Sequence, residues 1–469
     1  MKFLPPTPSA SSTRMKGRRL WAATTLVQAA AICLLSSSCV GIRTVGEKDE
    51  RVRAQAVVAK YRGAGGAPVV PVLRSGGSPE SFMLHAMMRH PQVEAACYEW
   101  LATVEKITRE RSLPDPQVTF QTDIARIVMT VMPGLMMGFP GPGKLRAAAD
   151  VATAESRMKY QQFVSAVLQV AYRFKKSWYE LRLVDERIRV NREIITLLED
   201  LEKLAQSRLE AGKGSLQDLL RIQMEKERLQ TDLVNLRDSR GWYLTQFKAA
   251  LGLGPGERTP PLPRVLASSS LKLGGDEVLA VAMERNPQLK SLEEDVRRAE
   301  AAVVAAWRVR IPDFSLGAMV DVNAAPTMVR PLAGMTLPVW RDKIAAEVQG
   351  ARALAGGAKA RLDSERLNLA VDAAMKSYQY RESTRLLALL DGSLLPKARQ
   401  ALEVARSGYA TGGTDFINLI DAQRTLLNFR LGEVEARIKR ELALAELSLI
   451  VMGVPPSGAP VLSVEKNRR

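Results

Sequence analysis

Histidine is almost missing from this chain: His85 and His90 are the only two among 469 residues. Cysteine is nearly as scarce, with three, and aromatic residues make up 5%. Each shortage excludes something. Neither histidine stands at a ligand-forming distance in sequence from cysteine or acid, so no metal centre is expected and both read as ordinary helix residues near a turn. No grouping of acid, base and nucleophile emerges either, so an enzyme is not expected, nor a cofactor. Aromatics, glycine and proline are too thinly spread for a many-stranded sandwich. Alanine, leucine, arginine, glutamate and glutamine dominate the middle of the chain, which predicts a mostly α-helical body.

The first 38 residues read as a targeting segment rather than structure. Arg14, Lys16, Arg18 and Arg19 precede an uncharged run, Leu20 to Leu35, that ends in small residues before Cys39. The run is too short to span a bilayer comfortably. Its ending resembles a bacterial lipoprotein signal, which makes Cys39 the expected lipidated first residue, although Ser36 stands where such signals usually have leucine. With Cys33 in the signal and Cys39 modified, Cys97 is left alone and no disulfide framework is possible within one chain.

The formal net charge is +17, and loss of residues 1–38 lowers it to +12 by removing Lys2, Arg14, Lys16, Arg18 and Arg19 and no acid. Basic residues are nevertheless interleaved with acids, as in MEKERLQTDLVNLRD, the pattern of a solvated helix face. Nucleic acid is not an expected partner.

The body of the chain repeats itself. Ser207 to Gln223, SRLEAGKGSLQDLLRIQ, and Ser407 to Gln423, SGYATGGTDFINLIDAQ, align at an offset of about 200 with Gly212 over Gly412. Each glycine interrupts a long proline-poor helical run, which predicts a tight elbow between antiparallel helices. Upstream, a helix opening at Ser78-Pro79-Glu80 passes His90-Pro91-Gln92 and continues to Arg111, and a second opening at Asp276-Glu277 passes Asn286-Pro287-Gln288 to about Arg310. After each comes a stretch of period two. Phe314, Leu316, Ala318, Val320 and Val322 alternate with polar residues, then Val329, Ala333, Met335 and Leu337; in the first half Val118, Phe120 and Ile124 are answered by Ile127 through Phe139. Each half therefore supplies two strands.

Lys144 to Ala211 contains no proline and carries three-four spacing from Leu181 to Leu209, the patterning of a coiled coil. Such a helix is on the order of 100 Å long. A shorter return helix runs from Ser215 to Gly252; Lys343 to Thr411 and Thr414 to Met452 repeat the arrangement, with Pro396 expected to kink the second long helix. The domain reading is a signal at 1–38, an extended tether at 39–78, repeat one at 79–257, a linker at 258–275, repeat two at 276–456 and a tail at 457–469.

The order of these motifs, found twice, resembles the TolC-like outer-membrane efflux protein family over residues 79–455. The residues that carry the likeness are His90-Pro91 and Asn286-Pro287, Phe139 to Lys144 and Val339-Trp340 to Lys343, and Tyr409, Gly412 and Ile420 to Gln423. The resemblance implies a mostly α fold with a small β part, a duplicated helix–β-hairpin–long helix–helix unit. Three copies would form an α-helical tunnel and share one twelve-stranded transmembrane β-barrel, since an open sheet in lipid leaves backbone groups unsatisfied. It further implies a passive outer-membrane channel of a tripartite efflux or type I secretion system, working as a homotrimer with a periplasmic adaptor and an inner-membrane pump. Gly212, Asp218, Tyr409 and Gly412 match the family's periplasmic mouth and adaptor contacts. Leu209 stands where the first copy could have had tyrosine and Asn418 stands opposite Asp218, so the family's Tyr–acid–Arg closure is not expected to carry over. The alternative is a lipid-anchored periplasmic coiled-coil scaffold whose short hairpins make no pore.

Two patterns are set aside. Gly138 to Lys144 has the spacing of a phosphate-binding loop, but Leu145 replaces the required hydroxyl and two prolines remove amides, so a strand-to-helix turn is the reading. Met83, Met87, Met88, Met129, Met132, Met136 and Met137 could be soft-metal ligands, yet adaptable packing accounts for them more simply.

Overall fold

The computed structural model describes residues 43–62, 70–124, 129–263, 271, 273–321 and 328–462. The element order is α1 Val45–Arg62, α2 Pro79–Arg89, α3 Pro91–Arg111, β1 Gln117–Ile124, β2 Met129–Phe139, α4 Lys144–Glu210 and α5 Leu216–Ala250 in the first half. There follow α6 Gly275–Arg285, α7 Pro287–Arg308, β3 Asp313–Asp321, β4 Met328–Thr336, α8 Arg341–Leu389, α9 Leu395–Thr411 and α10 Phe416–Glu446. From α2 onward the sequence helix, helix, strand, strand, long helix, helix occurs twice. The chain divides into two units, one built from 1–49, 104–153 and 298–353 and the other from 50–103, 154–297 and 354–469.

The first unit holds a four-stranded antiparallel sheet in the order β1-β2-β3-β4, so the two hairpins join through β2 and β3. Pairing sets Leu135 opposite Ala318, Met137 opposite Leu316 and Phe139 opposite Phe314, and the run continues with Val118 on β1 and Ala333 and Met335 on β4. All of these point to one face, because side chains alternate along a strand. The opposite face carries Gln117, Thr119, Gln121, Asp313, Ser315, Asp321, Arg330 and Thr336. One side of the sheet is apolar and exposed; the other is mixed, its polar residues standing beside Met132, Met136, Met319, Met328 and Leu332. β1 and β4 are unpaired along their outer edges among the described residues.

The turn from β2 into α4 is pinned to this sheet. The Gly141 amide and Lys144 Nζ each donate to Asp313 Oδ1 at 2.7 Å. Lys144, the lysine of the phosphate-loop spacing, is thus occupied by a carboxylate at the start of β3, which accounts for the motif structurally.

The second unit is helical. Its core near the elbows draws Ile188, Ile195 and Leu198 from α4, Ile222 and Leu229 from α5, Leu395 and Leu402 from α9, and Leu419 and Leu426 from α10. Each such side chain contributes roughly 1.5–3 kcal/mol on burial. A second cluster joins Val278, Ala282 and Leu289 to Leu362, Leu369, Tyr380, Leu444 and Leu447.

Three expectations need correction, and a fourth, at Pro396, gains detail. Residues 45–62, expected within an extended tether, form α1. Glu47 is fully buried against Arg111 and Thr108 in the first unit, while Glu50 is buried against Ser156, Arg53 and Arg157 in the second. Carboxylates that find such partners hold a helix that charge alone would leave in solvent. The helix expected to run through His90 breaks there, with His90 at φ −66° and ψ 127° between α2 and α3, and Asn286 breaks the α6–α7 run likewise. A residue before proline is pushed out of the α region. The Asn286 side chain then caps both directions, donating to the carbonyls of Ile450 and Val451 at 3.0 Å and accepting from the Leu289 amide. Finally, at Pro396 the long helix widens before the proline into a π-helical segment, Leu390–Leu394, in which the Leu395 amide donates to the Leu390 carbonyl. The looser turn accommodates a residue that has no amide to give.

Candidate functional site: the paired helix elbows

The four residues matched to the mouth lie in the helical unit at two helix-to-helix turns. In the first, α4 ends at Glu210 and Gly212 takes φ +69°, while the Lys213 amide closes back on the Arg208 carbonyl at 2.8 Å. Ser215 then caps α5 through the Gln217 amide, and Asp218 sits in its first turn. In the second, α9 ends at Thr411, Gly412 takes φ +84° and the Gly413 amide closes on the Gly408 carbonyl at 2.8 Å. Both are left-handed caps that a β-carbon would strain, which explains glycine at both places.

Tyr409 is 3% exposed and packs its ring edge-on to Phe416, with centroids 5.5 Å apart. Arg208, near the end of α4, brings the two elbows together. Its guanidinium carbon lies 4.6 Å from the Tyr409 ring centroid, and its Nη2 donates to the Lys213 carbonyl at 3.0 Å. A stacked cation of this kind contributes about 0.5–2 kcal/mol. The Arg208 Nε and Nη1 and the Tyr409 hydroxyl are buried with no hydrogen-bond partner among the described residues. Burial pushes the Tyr409 phenol above its ordinary value and the Asp218 charge adds to this, while Arg208 opposes it. Asp218 and Arg208 thus act on Tyr409 in opposite senses within a single chain. Arg208 from α4 stacks on Tyr409, while no hydrogen bond or ion pair joins Asp218 to either among the described residues.

Sequence reasoning missed Arg208 because only its place about one turn before the glycine elbow could have flagged it. It also missed the support behind the elbows. Glu202 accepts from Gln223 at 3.0 Å and from Lys226, and these hydrogen bonds hold its carboxyl below the usual glutamate range. Arg424 on α10 reaches Glu225 on α5 at 2.8 Å. Cys39, the lipidation candidate, lies outside the described residues. His85 Nδ1 donates to the Pro71 carbonyl at 2.8 Å, and His90 Nδ1 accepts from the Gln92 amide at 3.1 Å, so both serve local structure.

The outer membrane efflux protein family matches residues 278–451. The chain is 23% identical over 375 residues to the cobalt-zinc-cadmium resistance protein CzcC of Cupriavidus metallidurans, an alignment covering 78% of this chain and 88% of that protein. Among solved structures it is similar to the outer-membrane channel OprN, with a TM-score of 0.71 at 16% identity over 89% of this chain and 97% of that one. It is also similar to the outer membrane protein VceC of Vibrio cholerae, with a TM-score of 0.68 at 16% identity over 80% and 96% of the two chains. At such identities the likeness is one of fold. Members of the matched family are outer-membrane efflux proteins.

Proposed function

We propose that the protein is the passive exit duct of a tripartite efflux or type I secretion system, a homotrimer in the outer membrane that meets a periplasmic adaptor and an inner-membrane pump. The observation that carries this reading is the sheet: apolar and exposed on one face, with its polar residues gathered on the other, and open at both edges among the described residues. Facing lipid, an unpaired edge costs several kcal/mol per backbone group, and pairing β4 of one copy with β1 of the next removes every edge. No described helix is long and apolar enough to cross a membrane, so the sheet is what would do so. The helices supply matching support, since α5 exposes Leu216, Leu220 and Met224 and α8 exposes Leu367, Val371 and Tyr378 at helical spacing. Apolar stripes of this length ask for a neighbouring helix.

In this reading Gly212, Asp218, Tyr409 and Gly412 form the periplasmic mouth, Arg208 latches it, and Cys39 carries the lipid anchor. Pumping energy comes from the partner. The test is single-channel conductance of the purified protein in a planar bilayer, with the mass of the detergent complex measured alongside. Discrete steps from a trimer are expected, and Asp218→Ala or Tyr409→Ala should raise the open fraction. A monomer that extracts without detergent and never conducts, in wild type and both variants, would instead support the periplasmic scaffold.

A further inference from the structure

Positive charge without a counter-ion gathers at one end of the sheet, where the strands hand over to helices. Residues 304–313 and 337–352 carry Arg308, Arg310, Arg341, Lys343 and Arg352 against Asp313, Asp342 and Glu347. Asp313 is already held by Lys144, and none of the five cations forms an ion pair among the described residues. At the opposite end of the sheet, by contrast, Arg330 is met by Asp321 at 3.0 Å. Two of the five crowd one indole. The guanidinium carbon of Arg310 lies 4.8 Å from the Trp307 ring centroid, and that of Arg352 lies 5.6 Å from it. The two charges are therefore within a Debye length of each other, about 10 Å, and repel. Trp307, Arg308 and Arg310 line an open cleft of about 610 Å³ with Val304 and Ile311.

An apolar groove opens at the same end. Phe139, Phe314, Leu316, Ala333 and Met335 line about 420 Å³ on the apolar face of the sheet. Phe314 is only four residues from Arg310, at most about 14 Å of extended chain. The segment leaving β4 exposes Leu337, Val339 and Trp340. Tryptophan and arginine at the border of an apolar surface suit the interface between hydrocarbon and water. We propose that this end of the sheet binds an anionic phospholipid, its phosphate between Arg310 and Arg352 beside Trp307 and one acyl chain in the groove. The guanidinium fork matches phosphate oxygens, and a negative charge there relieves the repulsion of the two arginines. A free phosphate would satisfy the arginines but leave the groove and Trp340 in water, so the two-part surface favours an amphiphile. The inference deepens the duct reading and rests on one part of it, that the sheet lies in lipid.

The test is native mass spectrometry of the full detergent-purified chain, titrated with dioleoyl phosphatidylglycerol and, separately, with dioleoyl phosphatidylcholine. The two lipids share acyl chains and phosphate, and only the first has a net charge. Retention of phosphatidylglycerol at least about tenfold tighter is expected. Changing Arg310 and Arg352 together to glutamine should erase that preference. The matching change of Arg192 and Arg237, exposed and unpaired in the helical unit, should leave it intact. Arg310 and Arg352 are themselves exposed, and circular dichroism checks that the variant keeps its helices. Should it not, Arg310→Lys with Arg352→Lys decides, since it keeps the charge without the fork and should lose part of the preference. Equal retention of the two lipids, unchanged preference in the variants, or displacement of phosphatidylglycerol by equimolar inorganic phosphate would overturn the assignment, the last in favour of a free-anion site. Conductance separates the two readings. A conducting trimer without lipid preference keeps the duct and loses the site, and a silent chain that selects phosphatidylglycerol does the reverse.

Discussion

The two elbows are built on the same backbone plan and stabilised by opposite chemistry. In the first, Glu202, Gln223 and Lys226 form a polar network between α4 and α5. In the second, Leu402 and Leu426 occupy the places of Glu202 and Lys226, and both are buried. Leu216 is 57% exposed at the start of α5, whereas Phe416, its counterpart on α10, is 3% exposed against Tyr409. The difference teaches which elbow is held from within. The second is closed by its own core, and the first leaves its apolar face free for another helix.

The largest expected effect that tests this contrast is at the second elbow. Phe416→Ala should cost about 3–5 kcal/mol, by the cavity it leaves, while Leu216→Ala should cost under about 1 kcal/mol in the isolated chain. Denaturant unfolding of the two variants measures both, and equal losses would erase the distinction. Next comes the polar network. Lys226→Ala leaves Glu202 without its cation and should cost about 1–3 kcal/mol. Because hydrogen bonding lowers the folded-state value of Glu202 below the ordinary 4.5, its contribution is present above that pH and is lost as pH falls through the folded value. Lys226→Ala should flatten this part of the acid unfolding profile.

Gln423 sharpens the comparison in the other direction. It is fully buried with both amide atoms unpaired, because the partner that Gln223 finds in Glu202 has become Leu402. Gln423→Leu should therefore stabilise the protein by about 1 kcal/mol, whereas Gln223→Leu should destabilise it. Thermal unfolding of the pair reads the sign. The smallest effect concerns His90, whose value is lowered by burial and then by the nearby Arg173. The unfolded chain takes up a proton near 6.5 that the folded chain refuses, so stability falls as pH drops from 6.5 toward the folded value. His90→Asn, the residue found at Asn286 in the other half, should remove that dependence.

Much of this was legible because periodicity and punctuation speak locally. The strand hairpins followed from period-two alternation, the long helices from the lack of proline, and the elbows from Gly212 and Gly412. What escaped was set by partners far away in sequence. Helix α1 depends on Arg111 and Arg157, which a reading of residues 45–62 could not supply. The joining of β2 to β3 needs a pairing across about 180 residues. Arg208 looked like one more arginine on a charged helix, and only the fold sets it against Tyr409.

The π-helical segment before Pro396 reaches further than the proline it relieves. Along α8 the buried positions Ala373, Tyr380 and Leu387 are seven apart, and along α9 Leu395, Leu402 and Tyr409 are seven apart, but Leu387 and Leu395 are separated by eight. One residue has been inserted into the heptad, a phase shift of about 100° around the helix axis. Had the count continued unbroken, Gly408 would face the core and Tyr409 would turn toward solvent. A local widening that ends fifteen residues before Tyr409 is thus what aims the tyrosine at the arginine.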